Sequence, residues 1–417
     1  MPILQKEKSN HSKILTYFIA FCTLLLTAAM IQYPKETFDS AIIGLNLWWN
    51  VVFPSLLPFF ILSEILMGIG VVHALGILLE PLMRPIFNVP GIGAFALSMG
   101  LASGYPMDAV ITCKFRKNKL CSTVEAERLL AFTNTADPLF MFGAVAVGMF
   151  AMPELGSTIA ISHYLASFLV GLIYRFYGRN RDQYHPRKEN VDTKNIFIRA
   201  FHELYVSRKK DNRTFSALLG DSIKSSMNTI LLIGGFIILF SVFLKILSTI
   251  GVTNYLDALF SLLLGCIGFS TNLAQSLSIG LFEIDLGALS ASQAIAPLSE
   301  KVAIAGAIIA WSGLSVHGQV ASIVIEAGIN MTPYMVARLL HAILSAILTL
   351  LFLGPWQSVM NLFTFPVMTN SYYPTSIFFW VDKLTQTLNQ LVLILFILLS
   401  ISLVIHIFKK IFLYTKR

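Results

Sequence analysis

Charge is what this 417-residue chain has least of: Asp, Glu, Lys and Arg together make 12% of it, about half the share of a soluble domain. The deficit is local as well, since residues 246–300 contain no Lys or Arg at all. Cysteine is nearly absent: Cys22, Cys113, Cys121 and Cys266 lack the close pairing of a metal site or redox motif and read as free thiols. There is no phosphate-binding GxxxxGK loop, no dinucleotide fingerprint and no His-Glu-x-x-His, so nucleotide-driven and zinc-dependent chemistry have no visible carrier. No cofactor and no enzymatic activity are expected. Paired Asp108 and Asp137, or Ser315 and His317, would make a protease only if nucleophile and base came within hydrogen-bond reach. The net charge of +8 reports orientation in a membrane here rather than affinity for nucleic acid.

What the chain has instead is apolar length. It is 56% hydrophobic, with a mean hydropathy of +0.73. The windows 14–33, 51–70, 156–174, 228–247, 334–353 and 388–408 each reach the roughly 18 residues needed to span a bilayer. Backbone groups in lipid must bond within their own segment, so the fold class is an all-α polytopic membrane protein. The first run precedes IQYPKETF, a poor small-residue cleavage site, and is read as a retained helix.

Basic residues set the sidedness. Eleven Lys/Arg against five Asp/Glu lie between Arg175 and Arg213, and Lys114, Arg116, Lys117 and Lys119 form a second cluster. The N-terminus, the 112–121 loop, the 178–215 loop and the C-terminus are therefore expected in the cytoplasm. An even number of spans must separate them, which gives about eight: 14–33, 51–70, 126–150 and 156–176, then 224–248, 300–327, 333–353 and 385–409. The interrupted segments 71–88 and 253–267 are expected flat at the interface or half-inserted.

The two halves echo each other. ALSMGL (96–101) lies 180 residues before SLSIGL (276–281), and FTNTADPLFMF (132–142) faces WSGLSVHGQVA (311–321) at nearly the same offset. Each half predicts a re-entrant hairpin (91–116 and 270–293) followed by a broken helix (126–150 and 300–327). The odd number of crossings makes the repeat inverted. The organisation predicted is a helix over 1–35, a first repeat over 36–177, a basic cytoplasmic loop over 178–221, a second repeat over 222–355, and an external loop with a last helix over 356–417. Paired interrupted segments in the two halves are the sequence pointer to a transporter site.

The stretch LASGYPMDAV (101–110) shows why. Gly and Pro break the helix, and an ionised Asp is costly in hydrocarbon. Irregular backbone at that depth survives only buried in protein or beside a wet cavity. If the breaks converge, Ser103, Gly104, Tyr105, Asn134, Thr135, Ser315 and Gln319 are candidates to bind substrate. Asp108, Asp137, Glu283, Asp285 and His317 are candidates to carry a coupling ion or proton. For several of them a purely structural reading stays open: Asp137 as the cap of a helix starting at Pro138, Glu283 and Asp285 on a solvated loop, His317 as a satisfied core residue. His73, His163, His341 and His406 read as isolated helix residues.

SLLPFFILSEIL (55–66), PLMRPIFNVPG (81–91), SGYP (103–106), EAERLLAFTNTADPLF (125–140), GLFEIDLG (280–287) and GLSVHGQV (313–320) together resemble the sporulation integral membrane proteins of the YlbJ (SpoVV) family, within the nucleoside-recognition "Gate" domain group. That resemblance implies movement of dipicolinic acid from the mother cell across the outer forespore membrane. The chain departs from the family pattern at Met107-Asp108, where a glycine is expected, and at Asp137, where a small polar residue is usual. The expected function is a carrier for a small planar dicarboxylate, with Tyr105 stacking on its ring. A nucleoside carrier, or a non-transporting scaffold for spore-envelope assembly, are the alternatives. The partners implied are the small molecule, a coupling cation or proton, and the bilayer; no nucleic acid is expected.

Overall fold

The computed structural model describes residues 2–179 and 196–355. The expected last helix at 385–409 and the rest of 356–417 lie outside them. Within them the chain is helical. The first half runs α1 (Pro2–Gln32), α2 (Pro34–Leu47), a π-helical turn (Trp48–Val52), α3 (Phe53–Gly68), α4 (Val71–Phe87), α5 (Gly93–Ser103), α6 (Met107–Lys117), α7 (Thr123–Thr133), a π-helical segment (Leu139–Met149) and α8 (Leu155–Tyr174). After α9 (Ile196–Asp211), the second half runs α10 (Phe215–Thr249), α11 (Val252–Cys266), α12 (Ala274–Phe282), α13 (Ile284–Gln293), α14 (Leu298–Trp311), α15 (Gly313–Val324) and α16 (Met331–Leu353).

The breaks in this series have local causes. Pro34 has no N–H to continue α1, and the chain turns by 102° there. Gly70 and Gly251 adopt left-handed φ of +89° and +78°, and each separates one helix from the next. Past Gly70 the turn is 82°, so α4 runs across the preceding helix, as its interruptions at Pro81 and Pro85 suggest. Ser122 and Glu125 form a reciprocal capping box that starts α7. Behind them Arg128, wholly buried, donates to Asn88 O at 2.9 Å and Tyr177 O at 2.7 Å, joining the ends of α4 and α8.

Small residues let the helices approach where there is no hydrophobic force between them in lipid. A Cβ on Gly44 would meet Ser241, one on Gly234 would meet the Trp48 ring, and one on Gly68 would meet Leu218. The Trp48 indole donates to Ile230 O at 2.9 Å, and Ser225 to Glu64 at 3.0 Å. Numbers rise along one partner as they fall along the other, so α2–α3 and α10 lie antiparallel. On another side α8, α14 and α16 pack together, with Ser345 donating to the Gly306 carbonyl at 3.2 Å.

Four helical stretches are long and apolar enough to cross a membrane, Leu155–Tyr174, Phe215–Thr249, Leu298–Ala327 and Met331–Leu353, and six if each bent pair counts once. The architecture is thus an all-helical membrane protein with four to six candidate spans among the described residues, where seven of the eight expected spans lie. Part of the shortfall is physical: 126–150 is interrupted at 134–138, and neither part is long enough alone. The basic loop expected over 178–221 also contains structure. Ile196–Asp211 is a helix, and α10 begins at Phe215 because Thr214 caps it, accepting from Ala217 N at 3.2 Å.

Candidate functional site

The first hairpin is α5 and α6, joined at Gly104 to Pro106. Gly104 has φ +71° and the Tyr105–Pro106 peptide is cis. The positive φ suits glycine, and so does the space: a Cβ there would lie 2.9 Å from Asp137 Oδ2 and 3.1 Å from Asp137 N. The hairpin tip is therefore seated against the break in the following helix. Gly100 presses on the Thr133 carbonyl in the same way. Ser103 spends its hydroxyl proton within α5, on Met99 O at 2.7 Å.

At that break α7 ends, and its last carbonyls need donors from elsewhere. Side chains from two distant helices supply them. Arg338 of α16, wholly buried, donates to Ala131 O at 2.5 Å and also to Asn134 O; a cation at a helix C-terminus is favoured by the helix dipole as well. Ser167 of α8 donates to Phe132 O at 2.5 Å. Beyond the break, the Ala136 N–H donates to His163 Nε2 at 3.0 Å, and Tyr164 donates to Ala136 O at 3.1 Å. His341 in turn meets the His163 carbonyl at 2.9 Å, with the two imidazoles 4.5 Å apart. Asp137 accepts from Phe140 N at 2.9 Å, capping the helix that Pro138 opens.

Asp108 and Asn134 are spent largely on each other. The Asp108 carboxylate, buried beside Arg338, accepts from Asn134 Nδ2 at 3.0 Å and Thr133 Oγ1 at 3.2 Å. Asn134 Oδ1, its side-chain amide oxygen, accepts from Tyr334 at 3.1 Å. Thr135 turns its hydroxyl back to Thr133 O at 3.4 Å.

The second half repeats the arrangement with different residues. Glu283 is the extended residue between α12 and α13, and its carboxylate caps α13 by accepting from Leu286 N at 2.9 Å. Asp285 follows two residues on, in the first turn of α13. The tip again abuts a break: Ser312 and Gly313 carry left-handed φ of +72° and +67°, and a Cβ on Gly313 would lie 2.8 Å from Phe282 O. His317 Nδ1 meets Gly313 O at 2.7 Å, and its ring lies 4.3 Å from Trp311 and 5.1 Å from Tyr334. Ser315 receives Gln319 Nε2 at 3.5 Å.

Tyr334 thus touches both breaks, Asn134 in one half and His317 in the other. Tyr105 sits at a second meeting point. Its ring packs against three separate hydrophobic cores, and Asp285, Asp137 and Glu283 all stand within electrostatic reach of its phenol. The Tyr105 hydroxyl is buried and has no hydrogen-bond partner among the described residues. Ser103, Ser315, His317 and Gln319 bond within their own helices, and the other predicted residues fall into two groups. Gly104, Tyr105, Asp137, Glu283 and Asp285 gather at the hairpin tips, whereas Asp108, Asn134 and Thr135 are bound into the internal network around Arg338.

Sequence reading missed Arg338, Tyr334, His163 and His341. Two signals were present: Arg338 interrupts an apolar run, and an ionisable residue inside a span calls for a named partner. His163 and His341 are 178 residues apart, close to the 180-residue echo between the halves. Among the described residues, no group of three His, Cys, Asp or Glu is placed to hold a metal ion.

No family model matches the chain. It is 45% identical over 346 residues to the sporulation integral membrane protein YlbJ of Bacillus subtilis (strain 168), across 83% of this chain and 85% of the relative. The chain belongs to the YlbJ family. A solved structure of a doubly substituted CNTnw in an outward-facing state shares 15% identity, with a TM-score of 0.40, over 79% of this chain and 86% of that one.

Proposed function

We propose that this YlbJ-family protein is a carrier for a small organic anion, with dipicolinate as its cargo and the outer forespore membrane as its place of work. In this reading the two halves are inverted repeats, their hairpins re-enter the membrane from opposite faces, and both termini are cytoplasmic. The observation that carries it is the meeting of the two hairpin tips at Tyr105. Two broken helices and two interrupted hairpins put three carboxyls, Asp137, Glu283 and Asp285, within electrostatic reach of one buried phenol that has no hydrogen-bond partner among the described residues. A scaffold has no need for such a point, and a folded core avoids it. The protein acts by binding and moving its cargo rather than by transforming it.

The same carboxyls define the coupling. A carboxylate about 4 Å from a bound anion costs about 4 kcal/mol at an effective dielectric near 20, which is roughly three orders of magnitude in affinity. The anion therefore travels only when protons or a monovalent cation neutralise the cluster. Purified protein in proteoliposomes should take up radiolabelled dipicolinate when an inward proton or sodium gradient is imposed. In wild type, the gradient that drives uptake should also tighten dipicolinate binding. Glu283→Gln should make binding less sensitive to that ion and impair net uptake. No uptake of dipicolinate under either gradient would overturn the assignment; uptake of uridine in its place would make this a nucleoside carrier.

A further inference from the structure

Helix α9 lies outside the two repeats, and its two sides are put to different uses. Ala200, Leu204 and Ser207 recur at i, i+4 and i+7, which is one face of a helix. That face lies on α4, and Ala200 is buried there. A Cβ on Gly70, at the corner between α3 and α4, would lie 2.6 Å from the Leu204 carbonyl oxygen and 3.1 Å from Ser207 Cβ. Glu203 stands within electrostatic reach of His73 of α4, and Asp211 pairs with Arg208 and Arg213. The inner side of α9, and both of its acids, are thus engaged by the protein.

The outer side is uncovered among the described residues. Ile198, Phe201 and Tyr205 are 59%, 71% and 64% exposed. They stand at i, i+3 and i+7, and exposed Lys209 continues the same row one turn on, with exposed Lys210 beside it. The bundle fixes the height of this row. α9 is seated on Gly70, and two residues earlier a Cβ on Gly68 would meet Leu218, in the first turn of the candidate span Phe215–Thr249. That span has 35 residues. At about 1.5 Å each it outreaches a hydrocarbon core of about 30 Å, so its ends stand in the headgroup layers. Helix α9 is level with one of those ends.

We propose that the outer face of α9 is seated in the bilayer interface and holds acidic phospholipid there. Aromatic rings sit at headgroup level, and a lysine stem can lie over apolar surface while its ammonium reaches a phosphate. An amphipathic helix of this kind lies in the plane of the interface. Charge decides which lipid it gathers. With both acids of α9 engaged elsewhere, the exposed side presents only cations, and each lysine near the surface favours an anionic lipid by about fivefold. Because α9 packs on α4, and α4 leads directly into the hairpin α5–α6, the lipid contact anchors the approach to the first hairpin. The inference needs only that the chain sits in a membrane; it depends on neither the cargo nor the coupling ion.

The test puts the photoreactive amino acid p-benzoylphenylalanine in place of Phe201, and separately of Tyr205, in the full-length protein. Each variant is irradiated in nanodiscs of equal parts phosphatidylglycerol and phosphatidylcholine, and mass spectrometry reads what has become attached. At both positions phosphatidylglycerol adducts should outnumber phosphatidylcholine adducts about fivefold or more. The same probe in place of Leu262, exposed on α11 in the stretch that lacks Lys and Arg, should attach both lipids about equally. Lys209→Gln with Lys210→Gln should bring the ratio at position 201 below about twofold, and Lys209→Arg with Lys210→Arg should preserve it. The proposal is overturned if positions 201 and 205 attach to protein, which would mean that another stretch of chain or a partner covers the face. It is equally overturned if they attach to no lipid, which would place the face in water, or if the lipid ratio is at parity or ignores the lysines. None of these readouts involves dipicolinate, so failure here leaves the carrier reading standing, and failure of uptake leaves this one standing.

Discussion

Replacing Arg338 with Met keeps most of the side-chain volume and removes the guanidinium from the centre of the molecule. Three things are lost together. The carbonyls of Ala131 and Asn134 lose their donors, the Tyr334 ring loses the cation 5.5 Å from its centre, and buried Asp108 loses its nearby positive charge. Each buried polar group left without its partner costs about 1–3 kcal/mol, more where the group is charged, so two bare carbonyls and a carboxylate without its nearby cation together cost several kcal/mol. Against a total stability of about 5–15 kcal/mol, that is enough to lower the unfolding temperature sharply or abolish purification. The cycle with Asp108→Asn isolates the electrostatic share. Asp108→Asn alone also destabilises, but in the Arg338→Met background it should cost less, or even restore stability, with a coupling of about 1–3 kcal/mol. Reversible unfolding in mixed micelles, followed by Trp fluorescence, measures all four corners. If Arg338→Met costs under about 1 kcal/mol, or the two changes add within about 0.5 kcal/mol, the clamp described at the break is wrong.

Gly104→Ala forces a Cβ into a left-handed residue and against Asp137; it should cost about 1–2 kcal/mol and abolish dipicolinate uptake while leaving membrane insertion intact, as fractionation and vesicle assays would show together. Normal uptake by both Gly104→Ala and Pro106→Ala would mean that the turn is not part of the working site. A reporter inserted within 180–195 should be cytoplasmic, and one inserted at Gly268, where nothing lies within 4 Å of an added Cβ, should be on the opposite side. Finding both on the same side breaks the inverted topology.

The punctuation of the chain was legible for local reasons. Gly104 with Pro106, Asn134 through Pro138, Glu283 with Asp285, and Ser312 with Gly313 all interrupt apolar runs, and the structure interrupts its helices at those places. What periodicity cannot convey is who answers the freed backbone groups. Arg338 is about 200 residues from the carbonyls it serves, and nothing near Ala131 in sequence announces it. For the same reason Asp108 and Asn134 look like ligands when read alone, yet fold into a closed network. The helix Ile196–Asp211 was hidden by its charge, since a basic stretch reads as loop when hydropathy is the guide.

A break in a helix is usually where a protein bends. The one at Asn134 is tied differently: five backbone groups between Ala131 and Ala136 are held by side chains of α8 and α16. Each group left bare in the interior would cost about 1–3 kcal/mol, so flexing there would release several such costs at once. The joint is welded, and α7, the π-helical segment, α8 and α16 must travel as one block. In the proposed carrier, whatever moves when cargo crosses has to slide or rock along the surfaces of that block, leaving the angle at Asn134 unchanged from one side of the membrane to the other.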